Sequence, residues 1–311
     1  MKIKVDIFSG FLGAGKTFLI KKLIREGAYS RDIAIIENEF GEVSIDALIL
    51  KDSNIKIKEI NSGCICCEVT GDFKEAVLEV IKKYKPSRVI IEPSGVAKLT
   101  DIINIFKESK LRDTVEVDNI ITVIDPEKFN MYFSNFKEFY KNQIINAKKI
   151  VLSRTQNLSK EEIDKVISKI REVNRKSEIL STAWDEINGR DIIKKGEEIS
   201  LKISEYRGNK PKLKNEEILK AKDIFESFAI YPSKKFDKNE LISKFKFISS
   251  SKVYGDIIRA KGVVNLRDSQ YGQFDFVKDE FNIRNINSSN CSIISFIGVK
   301  LNKKEIENLF L

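Results

Sequence analysis

The chain has 311 residues, 42% hydrophobic and 32% charged, which excludes a disordered or collagen-like polypeptide and provides apolar material for one or two cores. Its net charge of +9 arises from lysines dispersed along polar helix faces, as in "IKKLIRE" and "VISKIREVNRKSE"; no basic run carries interleaved aromatics that would stack on bases, so no nucleic-acid partner is expected. There is no histidine, so a bound metal must use sulfur and oxygen ligands.

The opening "MKIKVDIFSG" lacks an apolar region followed by a small-residue cleavage site, and nowhere do eighteen apolar residues run together. We therefore expect a cytoplasmic protein with no membrane partner. From there to about Leu201, "IKVDIFS", "IAIIEN", "IKIKEI", "RVIIEP", "NIITVID", "KIVLS" and "EIL" read as strands. Lys16 to Gly27, Asp72 to Tyr84 and Lys160 to Asn174 have helical spacing. Such alternation predicts an α/β fold, a mainly parallel sheet flanked by helices on both faces. The polar stretch "SEYRGNKPKLKNEE" from Ser204 to Glu217 reads as a linker. Beyond it, "FESFAIYPS", "YGDIIRAKGVVNL", "GQFDFV" and "CSIISFIGV" read as strands, with helices at Asp237 to Phe247 and at the C-terminus, where Asn302 and Glu305 form a capping-box variant. The expected division is 1–203, a linker at 204–217, and a smaller α+β domain at 218–311.

The first strand runs directly into "SGFLGAGKTFLIKKLI", where Gly10, Gly15, Lys16 and Thr17 satisfy G-x-x-x-x-G-K-[ST] in a strand-loop-helix setting. Gly10, Gly13 and Gly15 let the main chain wrap a phosphate, and the helix starting near Lys16 adds its positive dipole end. Lys16 is placed to reach the β- and γ-phosphates, and the Thr17 hydroxyl to ligate Mg²⁺. A second carboxylate for Mg²⁺ is expected at a buried strand end. In "SRVIIEPSG" that position is Glu92, and Gly95 follows as in a D-x-x-G switch with Glu for Asp.

Three of the four cysteines, Cys64, Cys66 and Cys67, fall within "NSGCICCE". A disulfide between neighbouring residues is strained, and clustered thiols suit a soft metal. The fourth, Cys291, opens an apolar strand and reads as a small core residue.

"SGFLGAGKT", "IENEFGEVSID", "NSGCICC", "IIEPSG" and "IIRAKGVV", in this order, resemble the CobW family of P-loop GTPases, cytoplasmic proteins implicated in metal handling. The closing "FIGVKLNKKEIENLF" resembles the family's small C-terminal domain. The resemblance implies a metallochaperone that hydrolyses GTP, or ATP, with Mg²⁺, and supplies Zn²⁺ or Co²⁺ to a client metalloprotein or cofactor-assembly enzyme. It implies nucleotide contacts along Gly10, Gly13, Ala14, Gly15, Lys16, Thr17 and Phe18 and at Gly95, with catalysis resting on Lys16, Thr17 and Glu92. Its "ENEFGE" stretch corresponds to Glu37 and Glu42 as oxygen ligands beside the thiolates. In an extended segment Cys64 and Cys66 share a side and Cys67 opposes them, so at least two of the three bind together.

Two features depart from the family pattern. The guanine-reading N-K-x-D should fall at "KIVLSRTQNL", where the chain has Ser153, Arg154, Thr155 and Gln156. A neutral amide answers only one of guanine's two adjacent donors, so selectivity for GTP should weaken, while the Arg154 stem can still stack on a purine. Histidine-rich stretches are also lacking, which favours delivery of one ion over storage of many. The alternatives are a P-loop kinase of a small molecule, although no Arg-bearing lid segment is evident, and a metal sensor without turnover.

Overall fold

Strand β1 (Ile3–Gly10) is apolar on both sides: Val5 and Ile7 enter one core and Phe8 another. Burial on both faces suits the centre of a parallel sheet. That is its position in the computed structural model, which describes residues 2–29, 32–38, 56–60, 70–107, 109–194, 221–267, 270–277, 280–286 and 292–311. With β2 (Ile33–Asn38), β3 (Lys56–Ile60), β4 (Arg88–Glu92), β5 (Val115–Ile124), β6 (Lys149–Leu152) and β7 (Glu178–Leu180), it forms a seven-stranded sheet in the order β3-β2-β4-β1-β5-β6-β7. The neighbouring pairs run parallel throughout. The chain winds out to one side of β1, crosses over it between β4 and β5, and continues on the other, so β1 marks the point where strand order reverses. A crevice at the carboxyl ends of the strands opens at such a point.

Helices cover both faces, as the alternating pattern predicts. On one, α1 (Lys16–Arg25) brings Leu19, Ile20 and Leu23 against Phe8, Ile35, Ile90 and Val123. On the other, α2 (Thr70–Tyr84) contributes Phe73, Val77 and Val80, and α3 (Leu99–Ile105) adds Leu99 and Ile102. Helix α1 stops at Arg25, two residues short of the expected Gly27, where Gly27 takes φ +67°. The sequence reading lacked α3 and the pair α4 (Phe129–Asn135) and α5 (Lys137–Asn146). In α5 the buried set is Phe139, Tyr140, Gln143, Ile144 and Asn146, polar and apolar mixed, so no apolar stripe appears. Helices α6 (Lys160–Val173) and α7 (Gly189–Ile193) also belong to this unit; α6 opens on a capping box between Ser159 and Glu162.

The described residues from Ala221 onward form a second compact unit. It is α+β as expected: β8 (Glu226–Ile230), α8 (Lys238–Ser250), β9 (Asp256–Asn265), β10 (Tyr271–Val277), β11 (Glu280–Ile286), β12 (Ile293–Val299) and α9 (Lys303–Phe310). The strands form an antiparallel sheet in the order β11-β10-β9-β12-β8. Phe245 of α8 is its packing centre, with ring centroids of Phe274, Phe276, Phe281 and Phe310 between 4.9 and 5.2 Å away. The Asn302 side chain accepts from the Glu305 N–H at 3.4 Å and caps α9. Edge strand β11 escaped the sequence reading, because Asn282, Arg284 and Asn285 dilute the alternation of Phe281 and Ile283. The linker at 204–217 and Cys291 lie outside the described residues.

At the amino-terminal side of the first sheet, the register between β1 and β5 shifts between Val5 and Asp6, leaving Asp118 as an extra residue in β5. The bulge gathers a buried polar cluster. Asp6, with no exposed surface, accepts from Arg88 at 2.6 Å, the Tyr29 hydroxyl at 2.8 Å and Asn119 Nδ2 at 2.9 Å. Arg88 also donates to Asp118 at 2.9 Å. Burial raises the Asp6 carboxyl above its ordinary range, and Arg88 opposes that rise. Removing one member of a buried ion pair strands the other. Arg88→Met is expected to lower unfolding free energy by about 3–5 kcal/mol in denaturant titrations near neutral pH. The folded variant should bind a proton at Asp6 more readily than the unfolded chain, so the deficit should shrink as pH falls; a deficit independent of pH would contradict this account.

Candidate functional site

The carboxyl end of β1 passes into the loop Gly10 to Thr17, whose shape depends on glycine. Gly10, Gly13 and Gly15 take φ of +143°, +73° and +100°, a region costly for residues with a Cβ. At Gly15 space is also short, because a Cβ there would come within 3.2 Å of the Trp184 ring. Gly15 is the N-cap of α1 and offers no side-chain acceptor to the first turn. The first-turn N–H groups and the positive dipole end therefore suit an anion. Lys16 is buried and its Nζ donates to the carbonyls of Gly10 at 3.0 Å and Phe11 at 3.4 Å, arching over the loop. Phe18, expected among the nucleotide contacts, is 71% exposed, so its main-chain N–H, not its ring, is what the first turn can offer. Ala14 is buried within the loop.

Glu92 ends β4, the strand beside β1, and its two carboxylate oxygens accept from Thr17 Oγ1 at 2.8 and 3.1 Å. This is the pairing of hydroxyl and carboxylate that a Mg²⁺ site of this loop type calls for, so the donor set fits the ion. One strand further out, Glu37 of β2 is the register partner of Glu92. Partners in adjacent parallel strands project to the same face. Glu37 is 5% exposed, a buried strand-end carboxylate and not an exposed loop residue. Cys64, Cys66, Cys67 and Glu42 lie outside the described residues.

Gly95 packs against the loop from the side of β4: a Cβ there would lie 2.7 Å from Leu12 N and 2.9 Å from its Cα. Gln143 Nε2 holds the same segment, donating to the carbonyls of Gly95 at 2.9 Å and Ala97 at 3.0 Å. Beneath the loop, the ring of Phe11 lies among Tyr132, Phe136 and Tyr140 of the α4–α5 hairpin, with centroids at 4.6, 5.1 and 5.8 Å.

Where the base-reading stretch was expected, Ser153 is buried after β6 and its N–H donates to the Ile124 carbonyl at 2.9 Å. Arg154 adopts φ +56°, and its guanidinium donates to Asp125 Oδ2 at 2.8 Å. Burial raises the Asp125 carboxyl and Arg154 counters it. Gln156 sits exposed in a short turn, Thr155–Asn157. Sequence reasoning missed Asp125, Gln143 and Trp184 as parts of this site. Asp125 closes the strand-like "NIITVID", a position analogous to Glu92. Trp184 is the single tryptophan of the chain, and its Nε1 donates to the Leu152 carbonyl at 2.9 Å, holding the ring against the loop. Gln143 carried no signal in the sequence.

A family model for the CobW/HypB/UreG nucleotide-binding domain matches residues 4–181, and one for the cobalamin synthesis protein cobW C-terminal domain matches residues 225–311. The chain is 30% identical over 200 residues to a protein named zinc chaperone CobW from Pseudomonas aeruginosa, covering 54% of this chain and 53% of the relative. It is 29% identical over 192 residues to zinc chaperone YjiA from Escherichia coli, covering 60% and 59%. These alignments thus span little more than half the length of the curated relatives. Among solved structures, a Zn(II)-bound YjiA GTPase from Escherichia coli aligns with a TM-score of 0.48 and 19% identity, covering 100% of this chain and 98% of that one. Among the described residues no helix is long and apolar enough to cross a membrane.

Because Trp184 touches the loop at Gly15 and no other indole contributes, its emission should shift in wavelength or intensity when Mg²⁺-GDP saturates the protein. The change should disappear in Lys16→Ala. A Trp184 spectrum unaltered by saturating nucleotide would place the ligand elsewhere.

Proposed function

Because the chain belongs to the CobW/HypB/UreG family, with the nucleotide-binding domain at 4–181 and the cobW C-terminal domain at 225–311, we propose that it is a nucleotide-hydrolysing metallochaperone. The nucleotide, GTP favoured over ATP, occupies the loop Gly10 to Thr17. The cargo is a transition metal, Zn²⁺ or Co²⁺, taken by at least two of Cys64, Cys66 and Cys67 with Glu37 and Glu42 as oxygen ligands, and passed to a client metalloprotein or cofactor-assembly enzyme. The zinc chaperone names of the relatives from Pseudomonas aeruginosa and Escherichia coli favour zinc.

The observation that carries this reading is the register pairing of Glu37 with Glu92, one strand from the Thr17–Glu92 contact. The phosphate end and a prospective cargo ligand share one sheet rim. The Lys16 ammonium, which now donates to two loop carbonyls, would exchange them for β- and γ-phosphate oxygens, a stronger charge-assisted pairing. Thr17 and Glu92 would hold Mg²⁺, which when bound neutralises charge developing at the β–γ bridge. A γ-phosphate bound at this rim would act on the carboxyl ends of β2 and β4, where Glu37 and Glu92 stand.

Linkage requires metal and nucleotide to influence each other equally. Zn²⁺ affinity measured with Mg²⁺ and a non-hydrolysable GTP analogue should exceed that with Mg²⁺-GDP by about 5- to 150-fold, or about 1–3 kcal/mol. Equal affinities in the two states would remove the coupling on which the chaperone cycle rests.

Base selectivity is the second expectation. Gln156 offers one acceptor where a carboxylate would offer two, and adenine can pair with both ends of an amide. Competition binding should therefore find ATP and GTP within about tenfold, about 1.4 kcal/mol, with Gln156→Asp moving the ratio towards GTP. A preference of about a hundredfold for GTP in the unmodified chain would assign base reading to another residue.

A further inference from the structure

Gln143 of α5 has no exposed surface. Its main-chain carbonyl accepts the Thr122 hydroxyl of β5 at 3.0 Å, and its side-chain Nε2 donates to the carbonyls of Gly95 and Ala97 at 2.9 and 3.0 Å. Two acceptors facing one end of the amide fix its orientation, since turning the amide over would set oxygen against oxygen. In this orientation Oε1 is buried with no hydrogen-bond partner among the described residues. A leucine or methionine would occupy nearly the same volume without the unpaired Oε1, but would leave the buried Gly95 and Ala97 carbonyls without this donor, so what the glutamine adds beyond packing is the pair of bonds.

The two carbonyls it holds belong to the segment that follows Glu92. The same segment also packs against the loop Gly10 to Thr17, where a Cβ at Gly95 would lie 2.7 Å from Leu12 N. The Leu12 carbonyl in turn accepts the Tyr132 hydroxyl at 3.3 Å. Glu92 therefore leaves β4 into a turn that packs against Leu12 and is bonded by Gln143.

We propose that Gln143 is a positioning residue for the Mg²⁺ carboxylate: its paired bonds fix the turn at Gly95–Ala97 so that Glu92 stays within reach of Thr17. This rests on the nucleotide and Mg²⁺ reading above and extends it to a residue that touches neither ligand. Loss of the two donors would loosen Glu92 while leaving Gly10 to Lys16, the direct phosphate contacts, in place.

The test is equilibrium binding of GDP by calorimetry, in EDTA and across a Mg²⁺ series, for the unmodified full chain and for Gln143→Leu. In the variant, the Mg²⁺ concentration that half-saturates the enhancement of GDP affinity should rise by about tenfold or more, with affinity in EDTA within about twofold of the unmodified chain. Gln143→Met, which keeps the length and flexibility of glutamine and has no donor, serves if the leucine variant does not fold. An unchanged Mg²⁺ requirement in a folded variant would overturn the inference, as would an equal loss of GDP affinity with and without Mg²⁺, which would make Gln143 a general support of the loop. Failure of the unmodified chain to bind GDP would instead remove the nucleotide reading itself, a result distinct from either.

Discussion

Thr17 and Glu92 are 75 residues apart in the chain and one hydrogen bond apart in space, and most of the first unit can be understood as the means of keeping them so. Glu92 ends β4 and Thr17 stands in the first turn of α1, into which the loop from β1 leads, so their separation depends in part on the register of β1 against β4. A slip of one residue moves a strand by about 3.3 Å, more than the length of the bond. The buried cluster at the other end of the same strands opposes such a slip. In the register of β1 against β4, Asp6 stands opposite Ile90 and Arg88 opposite Lys4, so their 2.6 Å ion pair ties the two strands diagonally across that register. A buried ion pair is a poor source of net stability compared with apolar packing, and its best-attested use is to specify one arrangement over its neighbours.

Register alone does not determine where a carboxylate goes once its strand has ended. The α4–α5 hairpin supplies that second constraint. Its aromatic residues Tyr132, Phe136 and Tyr140 surround Phe11, the residue after Gly10 in the loop, while Gln143, one turn beyond Tyr140, grips the segment after Glu92. One helix pair thus touches both halves of the phosphate end. A displacement of that hairpin would be felt at the loop and at the carboxylate together, which gives the site a mechanical link that does not pass through the sheet.

The parts of this design visible in the sequence are those written in local chemistry. A strand running into spaced glycines with Lys16 and Thr17 announces a phosphate loop, and Glu92 at the end of an apolar run announces its partner. The alternation of strands and helices gave the sheet class. What stayed hidden depends on contacts between residues far apart in sequence. Gln143 is an ordinary glutamine in a helix whose buried face mixes Phe, Tyr, Gln and Asn, so no periodicity marks either the helix or the residue. The Asp6 cluster depends on a bulge that places Asp118 and Asn119 beside it, and bulges leave no trace in a hydropathy pattern. Glu37 was read from resemblance alone; its burial beside Glu92 is a fact of strand order.

The base end of the crevice shows the same division between local and distant chemistry. Read along the chain, Arg154 looks like a substitute for a stacking lysine, and the stretch from Ser153 to Gln156 looks bare of acid. In three dimensions a carboxylate is present: Asp125, at the end of β5, is 1% exposed and accepts from the Arg154 guanidinium at 2.8 Å. Burial alone would favour its protonated form, and the guanidinium opposes that. Its Oδ2 accepts from Arg154 and its Oδ1 from the Glu127 N–H at 3.0 Å, so both oxygens are engaged within the protein. The ion pair holds the Arg154 side chain in place, which would lower the entropy lost if, as proposed, a flat ring settles against its stem. Stacking of that kind is indifferent to the pattern of donors and acceptors on a purine, so under the proposed reading discrimination would fall to the neutral groups nearby, the exposed Gln156 amide foremost among them.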